Sequence, residues 1–79
     1  MYTYPIDYDL FTSEEVSVII EFLSLIEDAN EGKVNPIVMS AKYQAFKKIV
    51  NSISMEKQID REFQKVSGYS IYKTIQKYK

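Results

Sequence analysis

The sequence predicts an all-α fold: a small antiparallel helical bundle of three main helices and a short fourth at the C-terminal end, with an extended N-terminal arm. Three observations predict it. Apolar residues recur at three- and four-residue spacings from Val16 to Ile26, the period of a helix with a buried face. Cap residues recur along the chain, with Thr12, Asn35, Ser52 or Ser54, and Ser70 each preceding an apolar-periodic segment. Gly32 and Gly68 follow two of those segments, where a helix ends most readily.

The arm spans residues 1–11. It holds Tyr2, Tyr4 and Tyr8 without helical period. Pro5 disfavours the helical region for Tyr4, and Asp7 and Asp9 favour turns. Such an arm can lay its rings over the bundle with the hydroxyls near water. Asp7 and Asp9 alone make a poor metal site, because hard cations take six or more oxygens.

The first helix is expected over about 13–31. Thr12 and Glu15 form a capping box, and Phe11 with Val16 matches a hydrophobic staple. Val16, Ile19, Ile20, Phe22, Leu23 and Ile26 make its apolar face, and Val18 and Leu25 widen the arc past half the circumference. One neighbour cannot cover so wide an arc, so this helix should be central. Gly32 is expected in the left-handed conformation that closes many helices. The second helix is expected over 36–50, with Asn35 as cap and Pro36 at the first helical position. Met39, Tyr43, Phe46, Ile49 and Val50 form its stripe, and Lys42 borders it, able to run its methylenes along apolar surface. The short connection makes the two helices antiparallel neighbours.

The third helix is expected over 53–66, capped by Ser52 or Ser54, with Met55, Ile59, Phe63 and Val66 as a narrow apolar set. Gly68 closes it, and a last helix over 70–78 carries Ile71, Tyr72, Ile75 and Tyr78. Alone, so short a helix is marginal in water, and it must dock. With no repeat or linker, residues 1–79 read as one helical domain.

Composition bounds the chemistry. A 79-residue chain buries only about 60% of its unfolded surface, which leaves a thin stability margin. Cysteine and histidine are absent, which removes disulfides, thiolate and imidazole metal sites, and the usual general base. The opening Met1-Tyr2-Thr3-Tyr4-Pro5 has no basic region before an apolar run, so no signal peptide is expected and the protein is read as cytoplasmic. No apolar run approaches the roughly 18 residues of a membrane span. Charge is segregated. Eight acidic residues precede Lys33, the first basic one, whereas the ten cations from Lys33 onward face only Glu56, Asp60 and Glu62. Basic helices docked beside an acidic one would partly cancel these fields; a basic face open to an acidic partner is the sharper reading.

Several segments together resemble a known family. Tyr4-Pro5-Ile6-Asp7-Tyr8-Asp9, Glu14-Glu15, Phe46-Lys47 with Ile49-Val50, Glu56-Lys57, and Ser67-Gly68-Tyr69-Ser70 with Tyr72 are similar to an uncharacterised family of small proteins from Gram-positive bacteria, family two-two-three of the UPF series. The similarity spans nearly the whole chain. It implies an all-helical cytoplasmic bacterial protein and no activity, since the family has no assigned active residues to carry over. The chain departs from the pattern at Leu10-Phe11, where a tryptophan is usual and one residue is added, and at Asn51, where a proline opens the third helix.

No enzyme is expected, and no catalytic, cofactor or metal residue is assigned. Glu56 with Asp60, and Glu27 with Glu31, lie four apart, and such pairs could in principle share a proton if buried together. The plainer expectation is solvated surface pairs, with Glu56, Lys57, Asp60 and Arg61 in ordinary same-helix ion pairs. Two glycines, each at a helix end, leave no phosphate-cradling loop.

Binding is the expected role. Seven tyrosines exceed what so small a core can take in with every hydroxyl satisfied, and tyrosine is a frequent interface anchor. The sequence therefore predicts a non-catalytic protein-interaction module, with Tyr4, Tyr8, Tyr69, Tyr72, Lys47 and Lys73 as partner-binding residues. A homodimer pairing the acidic helix of one copy with basic helices of another is one version. The alternative is weak RNA binding through the basic C-terminal two-thirds, where lysines interleave with Tyr43, Tyr69, Tyr72 and Tyr78. Against it stand the single arginine and a sequence pI of about 5.3.

Overall fold

A computed structural model describes residues 9–78. Tyr4 and Tyr8 and most of the arm lie outside the described residues. Four helices follow in order: α1 (Ser13–Glu31), α2 (Pro36–Ile49), α3 (Ile53–Ser67) and α4 (Ile71–Lys77). No helix is long and apolar enough to cross a membrane among the described residues.

Each start is fixed by a side chain that satisfies an otherwise orphan amide. The Thr12 hydroxyl accepts from the Glu15 amide at 3.2 Å, and the Glu15 carboxylate accepts from the Thr12 amide at 2.9 Å. Asn35 Oδ1 accepts from Ile37 N at 2.8 Å, with Pro36 inside the first turn. Ser52, rather than Ser54, caps α3, and Ser70 caps α4.

The two glycines behave differently. Gly68 sits at φ 82° and ψ 1°, the left-handed conformation, and closes α3 with its amide donating to the Gln64 carbonyl. Gly32 does not share it. At φ −159° its backbone is extended, a value open to any residue, so the expectation of a left-handed turn after α1 fails there.

Helix α1 is the hub, packed against both α2 and α4. The short connection from Gly32 to Asn35 and the contact of Phe22 with Tyr43 and Phe46 near the other end of α2 make α1 and α2 antiparallel. Phe22, Phe46 and Phe63 are fully buried, with Ile19, Leu23, Ile26, Met39, Val50 and Ile71 around them. Each such side chain stabilises the fold by about 1.5–3 kcal/mol through removal from water. Lys42 pairs with Glu21 at 2.9 Å, joining the acidic helix to the basic one. Both groups are substantially exposed, so the pair contributes at most about 1 kcal/mol.

Helix α3 departs from its expected face. Val66 is 39% exposed, while Glu56 and Asp60 are only 5% and 7% exposed beside Ile59 and Phe63. The expectation of solvated carboxylates there is overturned, and so is that of ion pairs among Glu56, Lys57, Asp60 and Arg61: among the described residues the ion pair within α3 is Lys65 with Glu62.

Candidate functional site

Buried carboxylates need an answer to their charge, and both on α3 find it at the start of a helix. Glu56 lies in the first turn of its own helix, where the macrodipole favours a negative group. The Tyr43 hydroxyl reaches it from α2, donating to Oε1 at 3.4 Å. Asp60 Oδ1 accepts from the amide of Ile71, the first residue of α4, at 2.8 Å, and Oδ2 accepts from Gln64 Nε2 at 3.3 Å. That amide has no partner within α4, so Asp60 supplies the bond the helix cannot make for itself.

The phenols beside these carboxylates respond. Burial, then the Glu56 charge, pushes Tyr72 up to about 12. The same two causes raise Tyr43, with the Lys47 ammonium opposing them. Both therefore stay protonated at neutral pH. The cluster thus holds elements together: Tyr43 on α2 and Tyr72 on α4 flank one carboxylate of α3, while the other anchors α4.

A cleft of about 520 Å³ opens between α2 and α4, lined by Met39, Ser40, Tyr43, Gln44, Lys47, Lys48, Ile75 and Tyr78. Its α2 wall is two helical rows, Met39-Tyr43-Lys47 and Ser40-Gln44-Lys48, each stepping by four residues and therefore stacked along one face. Both rows run from a neutral to a cationic end. Tyr78 Oη accepts from Val34 N at 3.4 Å, which sets the end of α4 beside the start of α2. Met39, Ile75 and Tyr78 accordingly form the neutral end.

The tyrosine walls are held from behind. One side of Tyr43 meets Phe22, ring centroids 5.7 Å apart, and Lys47 Nζ lies 5.4 Å from the Tyr43 centroid. Lys47 and Lys48 are exposed. Among the described residues the cleft lining carries these two cations and no carboxylate.

The expected binding residues separate. Lys47 lines the cleft. Tyr72 is half-buried beside Glu56 and serves the interior cluster. Tyr69 is half-buried against the core, following the Gly68 turn. Lys73 is exposed on α4 outside the cleft lining. Sequence reasoning missed Met39, Gln44, Lys48, Ile75 and Tyr78 as one lining. The four-residue spacing on α2 is a local signal that could have grouped its wall, but the stripe drawn through Met39 and Tyr43 did not include Lys47, and the α4 wall depends on the long-range docking of Asn30 and Thr74, joined at 2.8 Å. No group of three or more potential metal ligands occurs among the described residues.

The profile of an uncharacterised protein family, UPF0223, matches residues 1–79. The chain belongs to the UPF0223 family. A UPF0223 protein of Bacillus cytotoxicus is 50% identical over 76 residues, covering 96% of this chain and 84% of the relative. One from Streptococcus uberis is 46% identical over 78 residues, covering 99% and 84%, and one from Streptococcus mutans is 44% identical over 75 residues, covering 95% and 80%. No solved structure matches significantly. These UPF0223 relatives carry no stated activity, so the site's role rests on its geometry.

Proposed function

We propose that this UPF0223 protein is a non-catalytic, cytoplasmic interaction module that receives part of another protein in the α2–α4 cleft. The observation that carries this reading is the cleft's construction: an apolar end, braced tyrosine walls, and a rim of two exposed lysines. Bracing matters because a surface already ordered loses little freedom on binding. The carboxylates that would otherwise suggest acid–base chemistry are occupied with a phenol and a helix amide.

RNA binding is the weaker reading, for a specific reason. Base stacking needs an open ring face, yet Tyr43 has Phe22 stacked against it and the Lys47 ammonium near its ring. The test is a photo-cross-linking residue placed at exposed Gln44, irradiated in cells of the source bacterium. Protein adducts that survive nuclease, and that are absent when the cross-linker stands at Glu14, are the expected result. An adduct of twice the chain's mass would identify a second copy as that protein. Adducts lost on nuclease treatment would transfer the cleft to nucleic acid.

A further inference from the structure

The cleft's two ends differ in chemistry, and their separation specifies what spans them. Met39 and Lys47 lie eight residues apart on α2, about 12 Å at the helical rise. An extended chain covers that distance in about three or four residues. The volume of about 520 Å³ suits one or two large side chains and is within the range of small-ligand pockets; a whole second helix would not fit.

At the neutral end Tyr78 Oη accepts from Val34 N, and the Tyr43 hydroxyl donates to Glu56, which leaves the Ser40 hydroxyl and the Tyr78 proton as the polar groups facing an occupant. Around them the surface is apolar, from Met39 and Ile75 and the ring of Tyr78. At the other end, Lys47 and Lys48 make no salt bridge among the described residues, unlike Lys42 and Lys65. Their place in the last turn of α2 suits the helix dipole; Lys47 also lies over the Tyr43 ring and acts on its hydroxyl, but that neutral partner leaves its charge, like that of Lys48, unpaired by a carboxylate among the described residues. Among the described residues no carboxylate lines the cleft, so that end presents two positive charges.

We infer that the cleft binds a short acidic segment of a protein partner: an apolar or aromatic residue seated among Met39, Ile75 and Tyr78, and carboxylates three or four residues along the segment held by Lys47 and Lys48. This rests on the interaction reading above and gives it a recognition rule. The apolar residue supplies burial, and the charges supply orientation and salt-sensitive specificity.

A display selection of random twelve-residue peptides on the full chain tests it. Enriched peptides are expected to place Asp or Glu three or four residues from a large apolar side chain. A synthetic peptide of that sequence should bind K47E/K48E at least tenfold more weakly, bind K57E as it binds the unaltered chain, and lose affinity as salt rises. The three lysines are exposed, so unchanged thermal melts are expected to confirm that each variant folds. Enrichment of neutral or basic peptides, no enrichment, or equal binding to K47E/K48E would overturn the inference. So would displacement of the peptide by an equal concentration of oligouridylate, which would assign the lysines to phosphate. If nuclease-resistant protein adducts still form from Gln44 under any of those results, the interaction reading stands and only the recognition rule falls. If the adducts are missing too, both fall.

Discussion

Tyr72 shows how one buried charge sets the behaviour of its neighbours. Its phenol rises to about 12 because burial and then the Glu56 carboxylate both oppose a second negative group. In the unfolded chain the same phenol titrates near its ordinary value of about 10. A group whose pKa is raised on folding contributes stability that is complete below the unfolded value and is lost as pH rises through the folded one. Here that window runs from about pH 10 to about pH 12. Urea midpoints measured at pH 9 and pH 11.5 should therefore fall further for the unaltered protein than for Y72F, which has no proton to lose. Lysine titration in the same range is common to both proteins and cancels in the comparison. Equal falls would mean that Glu56 and Tyr72 are not held together in the interior.

At the scale of the helix, the two glycines give a direct contrast. Gly68 occupies the left-handed region at φ 82°, where a β-carbon meets backbone and costs about 1 kcal/mol. Gly32 is extended, and an added β-carbon would meet only the Asp28 carbonyl at an ordinary 3.7 Å. G68A should lower the unfolding free energy by about 1 kcal/mol, while G32A should stay within about 0.5 kcal/mol, read from denaturant melts. The sequence could not separate them, since both glycines simply follow an apolar-periodic segment. What it did reveal was local. The capping box of Thr12 and Glu15, the Asn35-Pro36 start and the Ser52 and Ser70 caps each form within three residues, so pattern and structure coincide. Glu56 and Asp60 were misjudged because their partners, Tyr43 and Ile71, lie 13 and 11 residues away. A carboxylate four residues from another reads as solvated until the helix start that will receive it is known. Val66 failed for the complementary reason: its spacing from Phe63 fits the stripe, but burial on α3 turned toward Glu56 and Asp60 instead. Of the cleft, Lys47 was legible as a binding residue, whereas the joining of the α2 rows to an α4 wall was not.

Over the whole molecule, core and cleft share a wall. Phe22 stacks on Phe46 at 4.6 Å and on Tyr43 at 5.7 Å, so the side chain at the centre of the fold also braces the ring that lines the cleft. A chain of this length has about 4–12 kcal/mol of total stability, and truncating a buried phenylalanine removes about 3–5 kcal/mol. F22A and F63A, both at fully buried positions, should each lower the melting temperature by about 15 °C or more. Their effects on binding should diverge. Phe63 is not among the described residues that line the cleft, whereas loss of Phe22, which stacks on Tyr43, frees that ring to turn into the space left behind it. At about 15 °C, near the stability maximum of small domains, F22A should bind a selected acidic peptide several-fold more weakly than F63A after correction for the folded fraction of each. Equal affinities would show that Tyr43 is held by its hydroxyl bond to Glu56 alone. The core would then stabilise the cleft only by keeping the chain folded, and Tyr43→Phe would become the substitution that loosens the wall.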